Sequence, residues 1–199
     1  METMEARMVK LYARNNNHVA LHAIPGHFAT SHSHINFYID MTSLKTRANE
    51  AQEVAKSLAG DYVNSTVVDT IVCMDGTEVV GAYLAQEFEK RGFRNTNLHD
   101  TIYVVTPEYN ANNQLIFRDN TIPAIKGKNV ILLLATTTTG LTVRRSLECV
   151  QYYGGTVHGI SSIFSIVKKV GGMEVHSVFN ADDVPGYQAF GRDECPYCK

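Results

Sequence analysis

The chain has 199 residues, 44% of them hydrophobic and 19% charged, with a formal net charge of -2. That length supports one domain with a sizeable core, or one domain with a small appendage. The near-neutral balance supplies no basic field, which argues against nucleic acid as a partner. No apolar run approaches the ~20 residues of a membrane-spanning helix, so no membrane partner is expected.

The first residues, Met1 to Arg7, are polar and acidic, unlike a signal peptide. Four cysteines without an export signal suggest reduced thiols, and a cytoplasmic location is the expectation. Residues 2–14 read as a short amphipathic helix with Met4, Met8, Leu11 and Tyr12 on one side, ended by Asn15-Asn16-Asn17. A histidine-rich stretch follows, His18, His22, His27, His32 and His34, interleaved with Ala20, Leu21, Ile24 and Phe28. Phe37 to Asp40 reads as a short strand. Thr42 or Ser43 can cap a helix running to Ala59, with Leu44, Ala48, Ala51, Ala55 and Leu58 as its apolar stripe and Gly60 as its stop.

Val67 to Cys73 reads as a strand, and the turn Met74-Asp75-Gly76-Thr77 leads into a helix from Glu78 to Lys90, ended by Gly92. Thr101 to Val105 is the next strand. Residues 107–121 are polar and without a clear period, which predicts a mobile loop or a hairpin with Gln114 to Arg118 as one arm. Val130 to Leu134 is a continuous apolar run, the mark of a strand buried on both faces. Thr136 to Thr139 and Gly140 follow it, and then Leu141 to Val150 with apolar residues at helical spacing. Gly154-Gly155 ends that helix, Thr156 to Ile166 reads as a strand, and Glu174 to Phe179 as the last one. The remainder, 180–199, ends in Cys195-Pro196-Tyr197-Cys198-Lys199.

A helix that starts at a tight turn offers free backbone N–H groups and the positive end of its dipole to an anion. Threonine hydroxyls add donors, and glycine lets the backbone come close. The turn at Thr137, Thr138, Thr139, Gly140 and Thr142 is therefore a candidate cradle for one phosphate. Strands alternating with helices predict a three-layer α/β domain with a mainly parallel sheet. Right-handed crossovers then bring the loops after Cys73, Val105 and Leu134 to one sheet edge, where ligands of such sheets bind. We divide the chain into an N-terminal hood (1–41), an α/β core (42–180) and a tail (181–199).

Val130 to Thr142, VILLLATTTTGLT, resembles the signature of the type I phosphoribosyltransferases: a hydrophobic strand, two acidic residues, and a Thr/Gly turn. Gly26-His27-Phe28 with Ser31, and Phe37-Tyr38-Ile39-Asp40, resemble the N-terminal hood of the orotate phosphoribosyltransferases. The resemblance covers nearly the whole chain in order and spacing. It implies a three-layer fold, a homodimer, and transfer of a 5-phosphoribosyl group from 5-phosphoribosyl 1-pyrophosphate to a pyrimidine-like base, with magnesium on the pyrophosphate. It implies base-contacting roles for Arg144 and for the hood aromatics Phe28 and Tyr38, although core packing or dimer contact fits those rings as well. It also implies a pyrophosphate loop at Asp75, Gly76, Thr77 and Glu78, and a covering loop that carries Arg118.

The chain departs from that family at three places. Leu134-Ala135 stands where the family keeps its acidic pair. Glu78 stands where it usually keeps glycine, so that Asp75 and Glu78 would repel a pyrophosphate unless magnesium lay between them. The covering loop, 107–120, has Arg118 as its one basic residue. No side chain is singled out as a catalytic group, since orientation and charge can carry such a displacement. The other reading is a non-catalytic module that binds a nucleoside monophosphate or ribose 5-phosphate and has lost the acidic pair, unless Asp182 or Asp183 replaces it. Cys195 and Cys198 have the spacing of half a zinc site or of a redox pair, and a complete site needs two more ligands. His27, His32 and His34 are dense enough to consider as ligands, or as a source of positive charge near the site.

Overall fold

The computed structural model describes residues 3, 5–30, 33–90 and 101–198. Its N-terminal part is an antiparallel sheet. Strand β1 (Val9–Ala13) turns at Arg14-Asn15 into β2 (Asn16–Ala29), which pairs with β3 (His34–Asp40). The helix expected over 2–14 is thus replaced by a 3-10 turn, Glu5–Arg7, and a strand. The alternation along it is short: Leu11 and Ala13 turn inward while Lys10 and Tyr12 face solvent. Along β2 the same period buries Val19, Leu21 and Ala23 and leaves His18 and His22 on the outer face. Most of the histidine-rich stretch is therefore one long strand.

The helix expected from Thr42 to Ala59 is two. Helix α1 (Thr42–Thr46) ends at Arg47, whose ψ of 120° is extended, and α2 (Ala48–Ala59) starts after it. The Thr46 hydroxyl donates back to the Thr42 carbonyl at 2.6 Å, a local bond that competes with helix continuation. No side chain caps α1, so the cap expected there does not form, whereas α2 does stop at Gly60, which ends it with right-handed rather than left-handed angles. Next come β4 (Thr70–Cys73), α3 (Glu78–Glu89), β5 (Tyr103–Val105) and a small hairpin of β6 (Glu108–Tyr109) and β7 (Leu115–Ile116). The glycine expected to stop α3, Gly92, lies outside the described residues. The chain continues with β8 (Asn129–Thr137), α4 (Leu141–Tyr152), β9 (Thr156–Ser165), the short β10 (Lys169–Val170) and β11 (Met173–Asn180).

The central sheet has the order β10-β11-β9-β8-β4-β5, in which all neighbours are parallel except β10 and β11. Strand β8 lies at its middle and is buried on both faces, as its unbroken apolar run requires. Ile131, Leu133 and Ala135 pack into one core cluster with α1, α2, α3 and the inner face of the N-terminal sheet. Val130, Leu132 and Leu134 pack into the other with Val143, Cys149 and Val150 of α4. Each fully buried aliphatic side chain contributes about 1.5–3 kcal/mol. The tail is not loose. Its strand β12 (Ala189–Phe190) adds to the free edge of β3, giving the N-terminal sheet the order β1-β2-β3-β12.

Packing of α3 on the sheet is close enough to reverse a common rule. Replacing a mid-helix glycine by alanine normally stabilises by roughly 1 kcal/mol. A Cβ on Gly81, however, would overlap the Cys73 sulfur and stand 3.1 Å from Val104 Cγ1. Gly81→Ala is therefore expected to cost about 1–3 kcal/mol in urea unfolding, and Cys73→Ala in the same chain to recover part of the loss. A Gly81→Ala protein more stable than the parent would contradict this packing.

Candidate functional site

The parallel strands β4, β5 and β8 end at one sheet edge, and a cavity of about 250 Å³ opens there. Its walls include Leu134, residues 136–143, Asp75 from the loop after β4, and Thr30 from the connection between β2 and β3. The floor is the start of α4. Gly140 occupies the N-cap with φ 74°, and a Cβ there would stand 2.7 Å from Val170 Cγ2. Both the left-handed angle and the pressure of β10 thus demand glycine. No side chain caps α4, and its first residues, Leu141 to Val143, line the cavity, which makes this helix start a candidate anion site.

The threonines divide by role. Thr138, Thr139 and Thr142 line the cavity and keep solvent access, and the Thr139 hydroxyl accepts from the Leu141 N–H at 3.4 Å. Thr137 contributes to the wall, but its side chain is buried and its hydroxyl donates to Ser162 Oγ at 3.3 Å inside the sheet. Leu134 and Ala135 are 0% and 4% exposed, each locked in one of the two core clusters. An acid introduced at either would be buried among apolar groups, at a cost of several kcal/mol unless paired. Asp182 and Asp183 do not stand in for the missing pair. They line a different cavity, of about 440 Å³, and Asp183 is held by Arg14 Nε at 2.6 Å and by the Asn180 N–H at 2.8 Å.

The loop after β4 is tightly wound, with φ of 58° at Asp75 and 77° at Gly76. Thr77 is fully buried, and its hydroxyl sits 2.8 Å from the Met74 carbonyl and 3.1 Å from that of Leu133, tying the loop to β8. Glu78 starts α3 and accepts from the Thr106 hydroxyl at 3.0 Å. Lys45 reaches over from α1 and donates to the Asp75 carbonyl at 2.7 Å. It places a cation beside Asp75, a feature that sequence reading missed because the partner lies thirty residues away. Desolvation at the cavity wall raises the Asp75 carboxyl above its ordinary pKa, and the Lys45 ammonium opposes part of that rise.

Other expected site residues lie apart. Arg144 is exposed on the first turn of α4 and is absent from the cavity lining. The Phe28 and Tyr38 rings pack against each other with centroids 5.6 Å apart, away from the cavity walls. Arg118 is held by Glu108 through two bonds of 2.7 Å, so its charge is committed within the β6–β7 hairpin. That hairpin settles the alternative left open for 107–121, and it sits against α4 around Cys149 and Tyr153. His34 lies at the start of β3 beside the tail, away from the cavity lining. Ser31 and His32 lie outside the described residues.

The fold is that of the type I phosphoribosyltransferases. Among solved structures, orotate phosphoribosyltransferase of Mycobacterium tuberculosis superimposes with a TM-score of 0.54 at 16% identity, covering 83% of this chain and 93% of that one. Adenine phosphoribosyltransferase of Thermoanaerobacter pseudethanolicus gives 0.55 at 15% identity, covering 89% and 97%. UMP synthase of Leishmania donovani gives 0.57 at 16% identity over 80% of this chain, which spans 34% of that longer protein. No protein-family model and no curated protein sequence matches the chain.

The raised Asp75 carboxyl has a defined consequence for stability. A carboxyl whose pKa is higher folded than unfolded favours the folded state while protonated, and that contribution is lost as pH rises through the folded value. Asp75→Asn removes the charge and keeps a residue that tolerates left-handed angles. Because the side chain keeps solvent access, the gain at pH 7 is expected to be no more than about 0.5 kcal/mol, fading below roughly pH 3.5. Thermal unfolding at both pH values checks this, and a gain that persists at the acid end would contradict the assignment.

Proposed function

We propose that this chain is a phosphoribosyltransferase whose cavity at the start of α4 holds the 5-phosphate of a phosphoribosyl group. The observation that carries the reading is the left-handed Gly140 at an uncapped helix start, walled by Thr138, Thr139 and Thr142, in the fold of proteins that transfer that group. One of those, the Mycobacterium tuberculosis orotate enzyme, has a structure in complex with 5-phospho-alpha-D-ribosyl 1-diphosphate. The substrate proposed here is the same diphosphate, and the acceptor a pyrimidine-like base with orotate as the first candidate.

In the proposed reaction a base nitrogen forms a bond to the anomeric carbon as the bond to the pyrophosphate oxygen breaks. Pyrophosphate leaves with the electron pair, and the nitrogen's proton goes to solvent. Threonine hydroxyls and backbone N–H groups hold the phosphate end. Lys45, which donates to the Asp75 carbonyl, would supply positive charge on the leaving-group side. The residues fit a magnesium ion, because Asp75 lines the cavity with its carboxylate open to solvent and Glu78 follows three residues later at the start of α3. Bound there, magnesium would neutralise charge on the pyrophosphate, with Asp75 holding its water shell. A homodimer is part of this proposal.

Leu134-Ala135 supports a second reading, a module that binds a nucleoside monophosphate without transferring anything. A positioned electrostatic group contributes about 3 kcal/mol to a transition state, and the carboxylates that would stabilise charge on the ribose are absent at those two positions. Pyrophosphate release with magnesium, measured against orotate, uracil and purine bases, separates the two. Product from one base supports the transferase. Binding of a nucleoside 5′-monophosphate with no product from any base supports the module. Under both readings Thr139→Val and Thr142→Val should each weaken monophosphate binding by about tenfold, the worth of one charge-assisted hydrogen bond. Unchanged calorimetric affinity in both variants would place the phosphate elsewhere.

A further inference from the structure

The tail brings Cys195 and Cys198 to the end of the N-terminal sheet, where His27 of β2 and His34 of β3 already stand together. The four ligand atoms lie within 4.8 Å of one another. His27 Nε2 is 3.2 Å from His34 Nδ1, 3.4 Å from Cys195 Sγ and 3.6 Å from Cys198 Sγ, and His34 Nδ1 is 3.1 Å from Cys198 Sγ. A ring nitrogen has either one proton or one lone pair to offer. His27 Nε2 cannot satisfy three partners at those distances by hydrogen bonding, so the four atoms converge on a common point. Zinc–sulfur bonds near 2.3 Å and zinc–nitrogen bonds of 2.0–2.1 Å in a tetrahedron separate neighbouring ligand atoms by roughly 3.3–3.8 Å, and the four close pairs here, at 3.1–3.6 Å, are within a few tenths of an ångström of that.

We propose that His27, His34, Cys195 and Cys198 form a structural zinc site that clasps the tail to the N-terminal sheet. The surroundings are built for it. The Cys198 N–H donates to the Cys195 carbonyl at 3.2 Å, closing the C-x-x-C turn so that both sulfurs face one side. Cys195 is buried, and Tyr197 stacks on the His27 ring with centroids 5.5 Å apart. Strand β12 delivers the turn by pairing Phe190 with His34 itself. With two protein nitrogens and two sulfurs the tetrahedron is complete, as in structural rather than catalytic sites. The metal joins both strands at the base of their connection, and Thr30 of that connection lines the phosphate cavity. This inference is independent of the proposed transferase function.

The test uses the full chain. Metal analysis of the purified protein is expected to show about one zinc per chain, and cobalt in its place to give the intense visible bands of tetrahedral sulfur-ligated Co²⁺. His34→Ala and Cys198→Ser should each lower zinc affinity by at least about tenfold. Native thiol titration supplies a readout that needs no variant. Burial pushes the Cys73 thiol up to about 12 and the Cys149 thiol up to about 11, so both stay silent, and Cys195 and Cys198 are expected to react only after chelation. Less than about a tenth of an equivalent of zinc, both as purified and after reconstitution, would overturn the proposal. So would octahedral cobalt, full zinc retention in both variants, or a Cys195–Cys198 disulfide in the protein as purified.

Discussion

The contact between Gly140 and Val170 governs the architecture of the cavity. Strand β8 carries the chain through the middle of the sheet, and it must release that chain into α4 within three residues. Only a left-handed residue without a side chain makes the turn while β10 presses on it from above. The consequence is a helix start with no side-chain N-cap, whose first N–H meets the Thr139 hydroxyl and whose dipole points at the sheet edge. The same turn sets Thr138, Thr139 and Thr142 around one point. Fold and anion site are thus products of one local constraint, and neither can be altered without the other.

Charge around the cavity is arranged differently from the threonine wall. Asp75 and Glu78 bring two carboxylates to a place where an anionic ligand is expected, and Lys45 answers one of them from a separate helix turn. The break at Arg47 makes this possible, because it gives α1 a direction of its own and frees Lys45 to cross to the neighbouring loop. Arg118, by contrast, is neutralised by Glu108 within its own hairpin. Among the described residues, the charged side chain in the cavity wall is Asp75, with Lys45 bonded to its carbonyl behind it.

Much of the core was legible in the sequence because burial writes itself into periodicity. The run from Val130 to Leu134 predicts a doubly buried strand, and Gly140 after the threonines predicts a helix start that binds anions. Where the signal was weak, tertiary contacts decided. Val9 to Ala13 carries apolar residues that satisfy a helical and a strand period over so short a span, and pairing with β2 chose the strand. Arg47 carries no local sign of a break. Lys45, Thr30 and the pairing of β12 with β3 depend on contacts between residues far apart in the chain, which no local pattern records. The partners of Cys195 and Cys198 were hidden for the same reason, although the histidines had been noticed.

An apolar Leu134-Ala135 pair upstream of the Gly140 turn has a physical logic. Backbone donors at a helix start are obligatory: any sequence that keeps β8, Gly140 and α4 keeps them, and losing them costs the fold. Leu134 and Ala135 sit one turn of chain earlier, where apolar side chains fill both core clusters. A carboxylate there would have to be desolvated and paired, so an apolar pair is the more stable choice for folding alone. Folding stability alone therefore keeps the helix start and opposes acids at those two positions. Only selection for a charged transition state would keep carboxylates at those positions. Asp75 is the exception that matters: it remains at the cavity wall with its pKa raised, in a loop wound tightly enough to hold it there. Asp75 itself is solvent-exposed, so its carboxylate can stay charged there without the full burial penalty that falls on positions 134 and 135.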